Sequence, residues 1–487
     1  MPCNKMADGP SLLWFRCDLR LADHPALTAA VIRSRPIIPV FIWGPEEDGD
    51  EQPGAASRWW LHQSLVELDR DLRSRGLRLV IRRGPTQESL TEILKTTGAD
   101  AVYWNRRYEP ALSRRDAQIE QALRRSGIEA QTFPGNVLFE PHEIRTKEGN
   151  PYRVFTPFWK ACRARGEPGK PLPAPRRLIA PSQWPRSLEI AELQLEPKID
   201  WAAGFRATWR PGARGAAKQI ERFHAQALSA YARGRDRPDS LGTSRLSPHL
   251  HFGEITPRQV WHALGQPGRK GRGAKVSTAA RSKFFAELGW REFAHHVLFH
   301  FPYTSDRPLR DDFKKFPWRR DARALKAWQR GQTGFPIVDA GMRELWTTGW
   351  MHNRVRMIVA SFLTKDLLIT WREGARWFWD TLVDADLANN TLGWQWTAGC
   401  GADAAPFFRI FNPVLQGRKF DPEGVYVRRW VPELAKLPLK FVHEPWKTPS
   451  EVLSASNVRL GDNYPRPIVS HAESRHAALE AFRSLRS

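Results

Sequence analysis

The sequence has few cysteines and no long apolar run, and both absences narrow the classes of protein that its 487 residues can encode. The four cysteines, Cys3, Cys17, Cys162 and Cys400, lie far apart and form no CxxC pair. This argues against a zinc ribbon or a disulfide framework and is typical of a reducing cytosol. No stretch reaches the ~20 apolar residues that a membrane span needs, and residues 1–10 lack the apolar segment of a signal peptide. We therefore expect a cytoplasmic protein without a membrane partner.

Several catalytic and nucleotide-binding motifs are also absent from the sequence. It contains no Walker GxxxxGK[ST], no HExxH and no GxSxG, and we expect no metal. One GxGxxA match exists at Gly399, Gly401 and Ala404. Because it follows a helical pattern and not a strand, it is rejected as a dinucleotide-binding site.

Acidic residues are scarce relative to basic ones. Lys and Arg number 75 against 52 Asp and Glu, which gives a net charge of +23 and a pI near 10.3. This charge favours a polyanionic partner, although solvated surface arginines explain it equally well. The 22 tryptophans exceed what a core of this size requires. Most must be packing residues, but Trp also stacks on bases and flavins.

Short apolar runs alternate with helical patterns through the first 135 residues. The runs at 11–15, 36–43, 77–82, 99–104 and 128–133 predict strands, and the amphipathic stretches between them, at 24–34, 57–75, 86–97 and 110–125, predict helices. This alternation predicts βαβ units over residues 11–135, that is, a parallel sheet covered by helices on both faces. A ligand of such a sheet is expected beyond the carboxyl ends of its strands.

The remaining sequence has a different organisation. Eight prolines between 161 and 215 interrupt helix and strand patterns, so residues 136–215 are predicted to form a connector over the surface. Residues 216–487 carry apolar side chains at three- to four-residue spacing without strand alternation. The expected fold is therefore an α/β Rossmann-like domain with a parallel sheet, followed by a large all-α domain that holds most of the tryptophans.

Two motifs of the predicted helical domain are chemically suggestive. The hydroxyls of Thr243, Ser244 and Ser247 precede a helical pattern, which is typical of a phosphate site but, taken by itself, more often of an ordinary capped helix. Asp384 and Asp386 stand two residues apart among tryptophans. An unpaired carboxylate is costly to bury there, so the pair needs a cation or a hydrogen-bonding ligand unless it lies in a solvated turn. WMHNRVRM (350–357) supplies candidate partners.

These motifs belong to a longer series of segments that follow one another in order. The series is WFRCDLRLADHPAL (14–27), GTSRLSPHLHFGEITP (242–257), ELGWREF (287–293), GFPIVDAGMRELWTTGWMHNRVRM (334–357), DADLANN (384–390), GWQW (393–396) and DAAPFFRIFNP (403–413). It resembles the DNA photolyase/cryptochrome family, from about residue 11 to about residue 435. FPWRR (316–320) and NPVLQGRKFDPEG (412–424) are especially similar to class III, a group of bacterial photolyases that repair cyclobutane pyrimidine dimers. Class I is the alternative.

The resemblance implies an antenna-binding α/β domain and an α-helical domain that holds FAD in a bent form. It implies phosphate contacts at Tyr231 and along residues 243–247, an ion pair of Arg356 with Asp384 beside the flavin, and Asn390 opposite flavin N5. Phe284 stands where the family often has Trp. The implied FAD-binding residues are Tyr231, Thr243, Ser244, Arg245, Leu246, Ser247, Phe284, Arg291, Asn353, Arg356, Asp384, Ala385, Asp386 and Asn390.

The family flips the dimer out of DNA into a pocket. The resemblance places Trp290 and Trp396 at the stacking walls of that pocket and Glu287 at the carboxyl group that hydrogen-bonds a pyrimidine carbonyl. Other implied pocket, rim and phosphate contacts are Asn353, Met357, Arg409, Arg354 and Arg235. The basic loop GRKGRGAK (268–275) is a further candidate phosphate contact, or simply a solvated charge run. The histidine pair of (6-4) photolyases is replaced by Met351-His352-Asn353, which favours cyclobutane dimers.

The resemblance also assigns light-related roles. Trp394, Trp371 and Trp318 correspond to the family's electron-transfer chain from flavin to surface, and Trp377 and Trp379 are available for a second path. Glu109, in WNRRYEP (104–110), corresponds to a carboxylate that lines the antenna chromophore. Ala111 and Leu112 depart from the Asn-Glu of well-known folate-binding members. The expected antenna is methenyltetrahydrofolate, with 8-hydroxy-5-deazaflavin as the alternative.

Two functions remain after this comparison. One is light-driven repair of ultraviolet-damaged DNA, single- or double-stranded, by a monomer in the bacterial cytoplasm or nucleoid. The other is a cryptochrome-type blue-light photoreceptor without repair. Plant cryptochromes usually carry Asp where this chain has Asn390, and Asn accompanies a stable reduced flavin and repair. Together with the Glu287, Trp290 and Trp396 pocket and the basic charge, this favours repair.

Overall fold

A computed structural model describes residues 9–265, 276–404 and 409–485 of the chain. Its first part contains the predicted sheet, built from β1 (Ser11–Phe15), β2 (Ile37–Trp43), β3 (Val80–Arg83), β4 (Ala101–Asn105) and β5 (Glu129–Phe133). The strands are parallel and lie in the order β3-β2-β1-β4-β5. The direction of winding reverses between β1 and β4, and in open α/β sheets ligands bind at such a switch point.

Both faces of the sheet are buried, because its side chains alternate between two cores. Leu12 and Trp14 of β1 belong to one core, whereas Leu13 and Phe15 belong to the other, and all four are at most 1% exposed. Strands buried on both faces read as continuous apolar runs, as β1 and β2 do. The predicted parallel sheet is thus confirmed.

Helices cover the sheet and form the main regular secondary structure of the second part. They are α1 (Pro25–Ile32), α2 (Ala55–Arg73), α3 (Thr86–Thr97), α4 (Pro110–Arg125), α5 (Phe155–Ala164), α6 (Ala203–Thr208), α7 (Ala213–Gln226), α8 (Tyr231–Gly234), α9 (Ser247–His251), α10 (Pro257–Gly265), α11 (Thr278–His300), α12 (Ala322–Gln329), α13 (Pro336–Thr348), α14 (Asn353–Ser361), α15 (Trp371–Thr381), α16 (Leu387–Ala398), α17 (Pro413–Phe420), α18 (Val425–Trp430), α19 (Ser450–Ala455) and α20 (His471–Arg483). A single π turn, Phe362–Asp366, follows α14. None of the helices in the described ranges is long and apolar enough to cross a membrane.

The proline-rich segment between the two parts is less uniform than the sequence predicts. It carries α5 and α6, and Phe158, Phe205 and Trp209 are buried. The helix α5 forms because residues 155–164 hold only one proline, Pro157, in the first turn, where its missing N–H is tolerated. The boundaries 136 and 215 stay a prediction, but the connector contributes to the cores instead of only crossing the surface.

The sheet and the helical part share one hydrophobic core. Trp60 of α2 packs edge-on against Trp209, with ring centroids 5.4 Å apart, and stacks on Phe252 at 6.1 Å. Its indole N–H donates to the buried carboxylate of Glu254 at 2.9 Å. This packing fixes the carboxyl edge of the sheet against the helices, and the candidate site lies along that junction.

Candidate functional site

A small cavity lies at the switch point of the sheet, between the two parts of the molecule. Its walls combine residues that follow β1 and β4 with residues of the helical part, among them Glu109 and Asp386. The free volume is about 30 Å³, which is room for about one water molecule. The predicted antenna carboxylate and one predicted flavin carboxylate thus border the same buried space.

Glu109 is held in place by its neighbours. Its carboxylate accepts hydrogen bonds from Arg107, at 2.6 and 3.0 Å, and from the backbone N–H of Tyr108 at 3.1 Å. Burial by itself raises the pKa of Glu109, but the Arg107 guanidinium outweighs it and brings this pKa to about 2. The adjoining cavity is too small for a folate, so the antenna role of Glu109 stays a prediction.

Asp386 caps α16 and faces two histidines. Its carboxylate accepts from the backbone N–H of Asn389 at 2.8 Å and lies 3.6 Å from His295 and 3.8 Å from His251. Although burial raises the pKa of Asp386, the facing histidines hold it well below its usual range. Arg291, another predicted FAD residue, lines the same cavity and donates to the carbonyl of Asn136 at 2.6 Å.

Asp384 and Arg356 form the ion pair that the sequence predicts. One Arg356 nitrogen, Nη2, lies 3.0 and 2.8 Å from the two Asp384 oxygens, and Nε donates to the carbonyl of Met351 at 2.8 Å. The Asp384 side chain is 3% exposed, so the cation offsets a buried negative charge. Ala385 between the two acids is buried as well.

The hydroxyl-rich turn at 243–247 differs from its prediction in one respect. The helix that it precedes, α9, has only five residues, so it offers little of the dipole that favours phosphate at a helix N-terminus. The turn instead contains Arg245 with a positive φ of 53°. Burial lowers the pKa of Arg245, although Glu344, at 3.7 Å, opposes this shift. Leu246 is buried, and Thr243 and Ser244 are half-buried.

Trp350 connects this turn to the ion pair, although no sequence pattern distinguishes it from the other tryptophans. The Arg245 guanidinium lies 4.5 Å and that of Arg356 5.9 Å from the centre of the Trp350 ring. Its indole N–H donates to Oγ of Ser247 at 3.3 Å. The predicted phosphate contacts and the predicted flavin contacts are therefore parts of one packed arrangement.

Tyr231, Phe284 and Glu287 belong to one further group of contacts, which Arg235 completes. The rings of Tyr231 and Phe284 meet edge to face at 5.3 Å. Arg235 lies 5.7 Å from the Tyr231 ring and forms an ion pair with Glu287. Burial opposes the charge on Arg235, but the attraction of Glu287 outweighs it and raises the arginine's pKa.

Trp290 of α11 stacks on a residue of the predicted connector. The ring of Phe155 lies parallel to it, with centroids 3.8 Å apart and planes within 8°. Glu287 precedes Trp290 by three residues, so both side chains lie on one face of α11. The sequence reasoning missed Phe155, and its position at the start of α5 in a proline-rich segment carried no signal.

The other predicted substrate residues lie on α14, on α16 and in the segment between α16 and α17. Asn353 and Arg409 are exposed, and Arg354, Met357 and Trp396 are half-buried. Arg354 pairs with Asp236 at 2.8 Å, a partner that the sequence reasoning also missed. Residues 268–275, predicted as a basic phosphate contact, and part of DAAPFFRIFNP lie outside the described residues.

Trp394, Trp371 and Trp318 occupy neighbouring elements. Trp394 on α16 packs against Gly374 of α15 so closely that a Cβ there would lie 2.0 Å from the indole ring. Trp371 begins α15, and the backbone N–H of Arg319, next to Trp318, donates to Leu368, three residues before Trp371. Trp394 and Trp371 are 2% and 3% exposed, and Trp318 is half-buried. Trp318 is thus nearer to solvent than the other two, and the electron path stays a prediction.

The predicted residues fit FAD in their chemistry. Phosphates need hydroxyl and cationic donors, which the turn at 243–247 supplies. Asn390 donates through Nδ2 to the carbonyl of Ala375 at 3.0 Å, which leaves its Oδ1 available. One turn further on α16, a Cβ built on Gly393 would meet no described atom within 4 Å. Gly393 is exposed, so this opening faces the solvent.

Two further features of the described residues bear on chemistry. The residues in the described ranges contain no cluster of three or more His, Cys, Asp or Glu side chains suited to a metal ion. Cys17, Cys162 and Cys400 carry free thiols. Gly399, part of the rejected GxGxxA match, follows the last residue of α16 and has a φ of 88°. Glycine adopts this left-handed conformation readily, so the end of the helix accounts for a glycine at this position.

Comparison with known proteins agrees with this arrangement. A family model described as DNA photolyase matches residues 11–176, and one described as the FAD binding domain of DNA photolyase matches residues 284–484. The deoxyribodipyrimidine photo-lyase of Agrobacterium fabrum is 49% identical over 98% of each chain. Cryptochrome-1 of Arabidopsis thaliana is 41% identical. The matched region comprises 97% of this chain and 70% of that cryptochrome.

A solved structure is similar over the whole chain. The crystal structure of a bacterial class III photolyase from Agrobacterium tumefaciens superposes with a TM-score of 0.94 at 48% identity, and covers 100% of this chain and 99% of its own. Such likeness extends from the sheet to the helical part that carries the FAD-binding domain. The chain therefore belongs to the DNA photolyase/cryptochrome family.

Proposed function

We propose that this chain is a deoxyribodipyrimidine photolyase, a carbon–carbon lyase that uses light to repair cyclobutane pyrimidine dimers in DNA. The observation that carries the proposal is the arrangement on α11, where Glu287 and Trp290 share one face beside the residues that fit FAD. Full-length similarity to a deoxyribodipyrimidine photo-lyase and to a class III photolyase supports it.

FAD would be held by the turn at 243–247, by the Arg356–Asp384 pair, and by Asp386 and Asn390. The chemistry that the cofactor supplies when bound is the transfer of one electron to the dimer under light and its recovery afterwards. The two bonds between the pyrimidines break without net oxidation or reduction. The protein's part is to hold the dimer, exclude water and provide suitably placed hydrogen bonds.

Trp290 and Trp396 stack against the flipped dimer in this proposal. Phe155 covers one face of Trp290 and keeps the indole from turning, so the remaining exposed surface of the ring is presented in a fixed orientation. Glu287 pairs with Arg235 through Oε1 in this structure, and its side chain is proposed to contact a pyrimidine carbonyl when the dimer binds. Arg235 and Arg354 then contact phosphates of the damaged strand, in single-stranded or in double-stranded DNA.

The antenna is proposed as methenyltetrahydrofolate, with 8-hydroxy-5-deazaflavin as the alternative. The family resemblance supports a folate, but the cavity at Glu109 holds only about one water molecule. A folate would therefore bind elsewhere or open the junction between the two parts. The protein is proposed to act as a monomer, because one chain carries both the flavin residues and the dimer pocket.

The second candidate is a cryptochrome-type photoreceptor, which the 41% identity with an Arabidopsis cryptochrome favours. One experiment separates the two functions. Purified protein with chemically reduced FAD is mixed with an oligonucleotide that carries one thymine dimer, and dimer loss is measured under blue light and in the dark. Light-dependent loss supports repair. Binding of FAD without any dimer loss would contradict the lyase and favour the photoreceptor.

A further inference from the structure

Arg354 is oriented by three neighbours in this structure. Its Nε and Nη2 both donate to Oδ1 of Asp236, at 3.2 and 2.8 Å. Its guanidinium carbon lies 4.4 Å above the ring of Phe420, which is 7% exposed. Nη1 contacts only Sδ of Met357, at 3.8 Å, within the described part of the chain. One edge and one face of the guanidinium are therefore used inside the protein.

The unused edge has a defined direction. A guanidinium can bind an oxyanion along its Nε/Nη2 edge or along its Nη1/Nη2 edge, in each case through two parallel N–H groups. Asp236 takes the first edge, so the second remains for a phosphate. Arg354 lies in the first turn of α14, whose N-cap is His352. Met357, predicted at the pocket rim, follows one turn later and its Sδ contacts Nη1 at 3.8 Å, so the free edge lies beside a predicted rim residue.

Asp236 itself is held by a closed turn. Gly234 and Gly242 meet so closely that a Cβ on Gly242 would lie 2.3 Å from the Gly234 carbonyl oxygen. The same oxygen accepts the backbone N–H of Arg237 at 3.1 Å. The preceding residue, Arg235, pairs with Glu287. Two consecutive residues of this turn thus hold two predicted active-site side chains.

We propose that Asp236 is a positioning residue that orients Arg354 toward a phosphate beside the flipped dimer, without contacting DNA itself. This inference rests on the proposed function. Its physical basis is that immobilising a long side chain on binding costs free energy, and an arginine that is already oriented avoids much of that cost. Phe420 and Asp236 together restrict the guanidinium before DNA arrives.

The proposal makes a prediction of unusual sign. Removing an acidic side chain from a DNA-binding face should strengthen DNA binding by simple electrostatics. If Asp236 orients Arg354, its removal should instead weaken binding to dimer-containing DNA. The chain offers a matched control, because Asp239 pairs with Arg237 in the same turn, where Nε of Arg237 donates to Asp239 at 2.8 Å. Arg237 is not among the predicted DNA contacts.

The test measures binding of the FAD-loaded protein to a duplex with one thymine dimer, by fluorescence anisotropy. Asp236→Ala should weaken binding about two- to tenfold, which is the cost of immobilising one long side chain. Asp239→Ala, with the same change of charge, should bind as tightly as the parent or more tightly. Asp236→Asn keeps an oxygen that accepts from the guanidinium, so it should recover part of the loss and also serves if Asp236→Ala fails to fold.

A double variant identifies the route of the effect. In an Arg354→Ala background, Asp236→Ala should no longer weaken binding, because the side chain that it orients is gone. For Asp236→Ala alone, the kcat of repair at saturating DNA should equal that of the parent, while its KM for dimer-containing DNA should rise. Equal or tighter binding by Asp236→Ala, or an undiminished effect in the Arg354→Ala background, would overturn the inference. A parent protein that neither prefers nor repairs dimer-containing DNA would instead contradict the proposed function.

Discussion

The ring of Phe155 lies flat on the ring of Trp290, with centroids 3.8 Å apart, so a residue of the connector supports a predicted wall of the dimer pocket. Stacked aromatic pairs contribute about 0.5–1.5 kcal/mol beyond the area they bury. The contact joins α5 to α11 and fixes the plane of the indole. The connector is thereby part of the site instead of a tether between two domains.

Trp290→Ala should weaken the discrimination between dimer-containing and intact DNA. Stacking on a flipped base contributes about 1–3 kcal/mol, whereas phosphate contacts are the same for both DNAs. Binding of both duplexes is measured at several salt concentrations. Phe155→Ala, which leaves Trp290 present but unsupported, should give a smaller loss of the same kind. Equal losses for damaged and intact DNA would remove Trp290 from the pocket.

Glu287→Ala should slow repair while FAD stays bound, because the proposed partner of this residue is the substrate and not the flavin. Loss of one such hydrogen bond costs about 1–3 kcal/mol. The repair quantum yield and the flavin absorbance of the purified variant are measured together. Glu287→Gln keeps a hydrogen-bonding side chain without charge and should lose less. A variant that lost its flavin, or that repaired with an undiminished yield, would show that the role is misassigned.

Trp371→Phe should block the light-driven reduction of oxidised FAD by an external thiol. Phe keeps an aromatic ring in the same space, but its much higher oxidation potential removes the hole carrier. Flavin absorbance is followed under blue light. Trp261→Phe is the matched control, because Trp261 is also 3% exposed but stacks on Phe285, outside the predicted path.

The same Trp371→Phe protein should repair dimers once its FAD is reduced chemically, since repair begins from the reduced cofactor. Photoreduction at the rate of the parent would exclude this path. A partial loss would indicate two parallel routes, with Trp377 and Trp379 as members of the second. Combining Trp371→Phe with a Phe substitution at either position would then separate them.

Acid should destabilise the protein through His352, which caps α14 by accepting the backbone N–H of Arg354 at 3.2 Å. Burial lowers the pKa of His352 to about 3. Between about pH 6.5 and 3 the unfolded chain binds a proton at this residue and the folded chain does not, so the free energy of unfolding falls as pH falls. Within this range His352 lowers the free energy of unfolding by about 1.4 kcal/mol for each pH unit of acidification.

His352→Asn tests this, because Asn is a good N-cap that does not titrate. Urea unfolding of both FAD-loaded proteins is measured between pH 7 and 5. Between pH 7 and 5 the free energy of unfolding of the variant should fall by about 2 kcal/mol less than that of the parent. Parallel pH profiles for the two proteins would mean that His352 does not contribute to the acid sensitivity.

Local patterns determined much of the fold. Alternating apolar runs predicted the five strands, because a strand buried on both faces needs a short continuous apolar segment. The helices α3 and α4 match their predicted bounds because each has a clear start, Pro85–Thr86 and Pro110, and an amphipathic face. The family motifs then supplied the order of the flavin and substrate residues, since such motifs keep their order along the chain.

Tertiary structure alone decided which side chains meet. Asp236 and Arg354 are separated by 118 positions and Phe155 and Trp290 by 135, and no periodicity or spacing encodes contacts at such separations. The size of the cavity at Glu109 likewise depends on how the sheet edge packs against the helices. Local hydrogen bonding and side-chain alternation are determined by residues that are neighbours in the sequence. The long-range contacts form only when the shared core around Trp60 packs the two parts of the molecule together.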